Sequence, residues 1–368
     1  MKTAIRKTIK ATALGGLLCV AASLGGISMS AQAATYVYVS NADSREIIVM
    51  QLNPANGDLS PVERVAVTGT VMPMVVSPDK KRLYAALRSQ PFSVASFNID
   101  PASGKLAALK SGELADSMAN IDLDKTGKWL LAASYGGNKI TVNPVNADGT
   151  VGAPKQIMAT QPNAHAIHTD PANRYAFATN LGGDIVMQLK FDAATGTLTR
   201  NDPPEVSTKE KAGPRHFVFH PNGKFVYLLN ELDASLYVYS YDAQKGYFNE
   251  LQIVGTLPAG STVKPWAADL HFTPDGRFLY TSERNSSTLA GWAVDANTGK
   301  VTLVGHTATE KEPRGFNIDP SGKYLLAVGQ ASHGMSSYSI NAQSGVLTKL
   351  KEYPMGKNPN WVEIINLP

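Results

Sequence analysis

From Tyr36 onward the apolar residues fall in short runs, with turn residues between them, and no stretch keeps the 3.6-residue period of a long helix. The runs follow a fixed order. A first apolar run ends in a Pro-Asp-Gly-like turn, a second contains Leu-Tyr, a third alternates apolar with polar, and a fourth follows another glycine turn. Each unit therefore predicts four short antiparallel strands.

The order repeats. "PRHFVFHPNGKFVYLLNELDASLYVYSYDAQKGYFNEL" (214–251) returns as "WAADLHFTPDGRFLYTSERNSSTLAGWAVDANTGKVTL" (266–303) and "PRGFNIDPSGKYLLAVGQASHGMSSYSINAQSGVLTKL" (313–350), with weaker copies beginning near Met72, Met118 and Asn163. The turn positions are Pro78, Lys125, Pro171, Pro221, Pro274 and Pro320, spaced by 47, 46, 50, 53 and 46 residues. That period belongs to propeller blades. Residues 36–67 supply only the last three strands of a unit, and Trp361 to Ile365 resembles an unpaired first strand. Joining the two fragments gives a seventh blade and leaves no open edge. The expected fold is all-β, a single seven-bladed β-propeller over residues 34–368, closed by its C-terminal strand.

Ahead of the repeats, Lys2, Arg6, Lys7 and Lys10 precede an apolar, glycine-rich stretch and then Ala31-Gln32-Ala33. This order predicts a secretory leader at residues 1–33, cleaved after Ala33, and a periplasmic location for the mature chain. Leu18 before Cys19 does not suit a lipid anchor. Loss of the leader removes four of the 34 basic residues and none of the 30 acidic ones, so the mature chain is formally neutral. Nothing in that balance points to nucleic acid or to membrane insertion of the mature chain. Cys19, the only cysteine, leaves with the leader, which excludes disulfides, thiolate chemistry and zinc-cysteine sites.

Repeat register then gathers the polar residues. The first strand runs toward the turn and the second runs back, so the start of one and the end of the other share a face. At one face the copies bring together His165, Arg215, His216, Asp269 and Arg314 from first strands, and Arg88, Asn180, Asn230, Glu231, Arg284 and Gln330 from the ends of second strands; Asn120 joins them. The opposite face carries the turns "PNGK", "PDGR" and "PSGK" and reads as a structural end. A lone His or Arg near a strand end is ordinarily a satisfied surface or core group. Charges clustered around a channel axis are costly unless paired or used, and Glu231 against Arg215 or Arg284 could be a stitch between blades. No Gly-x-Ser-x-Gly elbow, His-Glu-x-x-His, phosphate loop or dinucleotide fingerprint is present. Neither a cofactor nor a metal is expected, because His165 with His168 or His216 makes an unconvincing ligand set.

The stretches "QPNAHAI", "GPRHFVFHP", "NEL", "WAADLHFTPDGR", "EPRGFNIDPSGKYLLAVGQASH" and "GKNPNWV" resemble the seven-bladed lactonases, a family that includes bacterial 6-phosphogluconolactonase and relatives of fungal carboxy-muconate lactonizing enzymes. The resemblance implies catalytic roles for His165, Arg215, Glu231 and Arg284. It implies hydrolysis of a sugar lactone by base-activated water, with the arginines at the oxyanion and either Glu231 or His165 as base. His216, Asn120, Asn180, Asn230, Asp269, Arg314 and Gln330 are then the residues expected around the sugar, with Trp266 and Trp361 at the rim or in blade packing. The leader departs from the cytoplasmic phosphogluconolactonase and favours an unphosphorylated aldonolactone such as galactonolactone or gluconolactone. A phosphorylated substrate, a lactonizing activity and a non-catalytic binding propeller remain as alternatives. The sequence does not fix the oligomeric state.

Overall fold

The computed structural model describes residues 34–368 continuously; the leader, its cleavage after Ala33 and Cys19 lie outside the described residues. The described chain forms seven antiparallel sheets and no α-helix, only a 3₁₀ turn at Leu181–Gly183. The inner strands are Val71–Val76, Met118–Leu123, Ala164–Thr169, Pro214–Phe219, Ala267–Phe272, Pro313–Ile318 and Pro359–Leu367. The last of these closes the ring. It pairs with Ala34–Asn41 in a register running from Ala34 opposite Leu367 to Ser40 opposite Trp361. Two chain ends thus complete one blade, and the edges that either fragment would expose are hydrogen-bonded. The blade at 71–113 departs slightly from four strands, its outer strand being split into Leu106–Ala108 and Gly112–Glu113.

The core lies between blades. Leu229 and Leu236 of one sheet, for example, pack with Leu270, Leu279 and Trp292 of the next. Six of the seven interfaces also seat an aromatic ring on the glycine turn of the following blade; at the seventh, Arg82 takes that place against Gly149. A methyl group built on Gly299 (φ +75°) would lie 2.4 Å from the Phe225 ring, and the Tyr227 hydroxyl donates to the Gly299 carbonyl at 2.5 Å. Phe278 repeats the arrangement on Gly345, and Tyr175 on Gly246. We expect Gly299→Ala to cost about 2–4 kcal/mol, combining the left-handed backbone penalty with overpacking. Gly305→Ala, which meets open space, should be near neutral. Urea midpoints of the two variants check this; equal midpoints would contradict it.

Near one face of the ring, the pairing of every inner strand with the second strand is interrupted. The register shifts lie at Val71/Met74, Ala164/Ile167, Pro214/His216, Ala267/Leu270 and Pro313/Gly315, with counterparts at Ala133/Ser134 and Ser40/Asn41. A bulge turns a side chain away from the regular alternation. Here it falls at the level of His165, Arg215, Asp269 and Arg314. The freed backbone groups are taken up by second-strand hydroxyls: Thr179 accepts from the Ala166 N–H at 2.9 Å and donates to the Arg215 carbonyl of the next blade at 2.7 Å, while Ser282 accepts from the Asp269 N–H at 3.0 Å.

Candidate active site

Arg215 reaches the mouth from its bulged inner strand, and Glu231 and Arg284 reach it from positions just after the second strands Phe225–Asn230 and Phe278–Glu283. One carboxylate oxygen of Glu231 receives Arg215 Nε at 2.8 Å and Arg284 at 2.8 Å. Both guanidiniums are almost fully buried and are fixed further by backbone carbonyls. Arg215 donates to Ala268; Arg284 donates to Trp266 and Ala267, both at 3.0 Å, and lies over the Trp266 ring at 3.9 Å. Burial raises the Glu231 carboxyl, but Arg215 and Arg284 outweigh it and hold it below its ordinary value. Two more cations sit close by. Arg88 donates to the Ser117 hydroxyl at 2.9 Å, and Arg314 is depressed well below its ordinary value by burial and by Arg215, Arg284 and Arg88.

Beside the arginines lie two imidazoles, those of His165 and His216, packed edge to face with centroids 5.0 Å apart. His165 is buried, with its Nδ1 unpartnered, and Tyr135 meets its ring at 6.0 Å. Burial first, and then Arg215, His216, Arg314 and Arg284, push its pKa well below the usual imidazole value, so the ring is neutral at pH 7. His216 is likewise lowered to about 3, by burial and Arg215 against the opposing pull of Asp269. The mouth therefore offers fixed cations beside neutral bases, a combination suited to stabilising a developing oxyanion while accepting a proton.

The comparisons with known proteins decide the family. A model of the "Lactonase, 7-bladed beta-propeller" family matches residues 33–364. The chain belongs to the seven-bladed lactonase family. It is 41% identical to the 6-phosphogluconolactonase of Pectobacterium carotovorum over 331 residues, covering 90% of this chain and 98% of that one. Identity to the 6-phosphogluconolactonase of Photorhabdus laumondii is also 41%, over 90% and 99% of the two chains. Among solved structures it is similar to the periplasmic gluconolactonase PpgL of Pseudomonas aeruginosa, with a TM-score of 0.85 and 27% identity over 91% of this chain and 100% of that one.

Within this lactonase fold the residues expected around the sugar divide. His216 and Arg314 lie beside Arg215, Arg284 and His165. Asn180 and Asn230 have no exposed surface: Asn180 donates to its own strand at the Ala178 carbonyl, and Asn230 donates to the Ser235 hydroxyl. These two buried amides organise the ends of their strands, because a short amide at a strand end is within reach of nearby backbone and hydroxyl groups. Asn120 accepts the Ile167 N–H at 3.0 Å and so joins neighbouring blades, and Gln330 donates to Asn358 at 2.6 Å. Asp269 points down the channel, between His216 and His271.

The opposite end of the channel corrects the reading of that face as purely structural. A cavity of about 460 Å³ opens there, lined in part by Asp122, His168, Asp269, His271 and Trp361. The signal was available: three residues before the turn, four of the six repeats carry Asp122, His168, His271 and Asn317, where the other two carry Val75 and Val218. Among the described residues no group of three or more His, Cys, Asp or Glu side chains is arranged to hold a metal ion, and no helix is long and apolar enough to cross a membrane.

Glu363 borders this region and accepts the Trp361 indole N–H at 2.9 Å. Burial, with Asp122 and Asp269 nearby, pushes its carboxyl up to about 7. A raised folded-state pKa contributes stability below the unfolded value near 4.5 that is lost as pH rises through 7. Glu363→Gln should therefore melt at a higher temperature than the wild type at pH 8 and at a similar one at pH 4.5. Parallel melting curves across that range would contradict it.

Proposed function

We propose that the chain hydrolyses the ring ester of an aldonolactone at the arginine-lined mouth. The observation that carries this reading is the Arg215–Glu231–Arg284 ion-pair cluster beside the neutral His165 ring. Sequence reasoning left the base open between Glu231 and His165. The geometry favours His165, because Glu231 already shares one oxygen between two guanidiniums and its basicity is lowered by them.

In this mechanism His165 takes a proton from water as the oxygen adds to the lactone carbonyl. The negative charge collects on the carbonyl oxygen near Arg215 and Arg284, whose orientations are set in advance by Glu231 and the backbone. Collapse breaks the ring C–O bond, and the imidazolium returns its proton to the departing ring oxygen. The carboxylic acid product then ionises and releases one proton to solvent. In this reading His216 and Arg314 contact the sugar. Folding alone does not require so many buried cations at one mouth, which counts against a purely non-catalytic binding propeller.

The leader-like segment before Ala34 supports export to the periplasm and an unphosphorylated substrate, such as galactonolactone or gluconolactone, since sugar phosphates are made and kept in the cytoplasm. Arg88 and Arg314 support a second reading. With Arg215 and Arg284 they set four cations against the Glu231 carboxylate, enough for a phosphate as well as an oxyanion. Specificity is a ratio of kcat/KM values, so matched lactones with and without the phosphate decide between the two. We expect at least a tenfold preference for the unphosphorylated form; a tenfold preference for the phosphorylated one would establish 6-phosphogluconolactonase activity instead.

A further inference from the structure

Below the mouth the channel holds polar side chains to which the mechanism above gives no role. Asp269 is the centre of this group. One of its oxygens lies 2.8 Å from His216 Nδ1 and the other 3.1 Å from His271 Nε2, and the Leu270 N–H also donates to it at 3.0 Å. Burial raises the Asp269 carboxyl, but His271 and His216 hold it far below its ordinary value, so it is ionised. An ionised carboxylate only accepts, so each imidazole nitrogen facing it carries a hydrogen. The neutral His216 ring therefore has its hydrogen on Nδ1, and its Nε2 is a bare acceptor, buried and without a partner in the protein. That ring packs against His165 on one side and Trp361, at 5.8 Å, on another. His271 is reached from the cavity at the far end of the channel.

We propose that Asp269 and His271 are positioning residues of the lactonase site, which lock His216 in its Nδ1–H tautomer and keep a bare ring nitrogen at the floor of the mouth beside His165. The proposal rests on the lactone-hydrolysis reading. The charged and titratable groups facing His216 are Arg215 on its own strand, His165 and His168 from the neighbouring inner strand, and Asp269 from the other side. Those facing His271 are Asp269 on its own strand and Glu363 from the closing strand. The functional consequence is directional. An imidazole that keeps one tautomer always presents an acceptor at that nitrogen, whereas a mixture presents a donor part of the time, so the lock fixes the polarity that His216 presents beside His165.

Asp269→Asn removes the lock, because an amide both donates and accepts and no longer dictates which nitrogen of His216 carries hydrogen. We expect at least a tenfold fall in kcat with KM changed less than threefold. His271→Leu should fall similarly, and His271→Gln, which keeps a donor toward Asp269, should recover to within threefold of the wild type. The tautomer itself is read by NMR on the full mature chain labelled with ¹⁵N. A protonated Nδ1 and bare Nε2 on His216 are expected in the wild type and in His271→Gln, and averaged shifts in Asp269→Asn. A wild-type His216 protonated on Nε2, or a folded Asp269→Asn with kcat within twofold of the wild type, would overturn the proposal. A locked tautomer in a protein that opens no lactone would count for the lock and against the hydrolytic reading.

Discussion

Replacing Glu231 by glutamine is expected to lower kcat/KM for the preferred lactone by roughly 10²- to 10³-fold, the range seen when one preorganised oxyanion donor is lost. Glutamine keeps the shape of the side chain but removes the charge that holds Arg215 and Arg284 together through a single oxygen. The guanidiniums then lose their shared anchor, and the donors aimed at the oxyanion lose orientation. Stability should fall too, because breaking a buried ion pair by removing one partner costs about 3–5 kcal/mol when nothing compensates. Here the backbone carbonyls of Trp266, Ala267 and Ala268 still hold the arginines, so the variant should fold with a lowered melting temperature. Arg284→Ala should behave alike, and Arg215→Lys should also be damaging, since lysine lacks the planar fork. The deciding quantity is turnover per folded molecule. If folded Glu231→Gln keeps wild-type kcat/KM, the cluster is a stitch between blades and not the reaction centre.

Replacing His165 by asparagine is expected to cost roughly 10²- to 10⁴-fold in kcat, the contribution of a well-placed general base. Its pH signature separates this role from packing. Because burial and the surrounding arginines hold the His165 pKa well below 6.5, the base is unprotonated throughout the neutral range. After subtraction of spontaneous hydrolysis, wild-type kcat/KM should be level between pH 6.5 and 8 and fall only at lower pH, as the ring gains its proton. The asparagine variant should lose that acid limb. An acid limb centred near 6.5 in the wild type, or one that survives in His165→Asn, would assign the proton to another group.

The ring of blades was legible in the sequence because each unit repeats the same turn chemistry and period-two pattern, and because the two end fragments complement each other. The placement of Arg215, Glu231 and Arg284 at one mouth was also legible, since antiparallel strands of fixed length carry repeat position directly into space. Side-chain direction was not. The bulges that turn His165 and Arg215 toward the mouth leave no distinct residue signature, so Asn180 and Asn230, at the ends of second strands, looked equivalent to Glu231 and Arg284, whereas their amides are turned to the Ala178 carbonyl and the Ser235 hydroxyl. Asp269 was expected around the sugar from the same register, whereas its partner His271 was missed because the opposite face was read as a structural end. The proposal of His165 over Glu231 as base rests on distances that sequence does not carry, those from the two arginines to one Glu231 oxygen.

Acid release from a panel of five- and six-membered aldonolactones, followed in weak buffer against the spontaneous rate, tests the proposed hydrolysis with the mature chain and with Arg284→Ala. Saturable release that exceeds the spontaneous rate by orders of magnitude is expected for at least one lactone, and its loss in folded Arg284→Ala. Release at the spontaneous rate for every lactone, phosphorylated ones included, would contradict it.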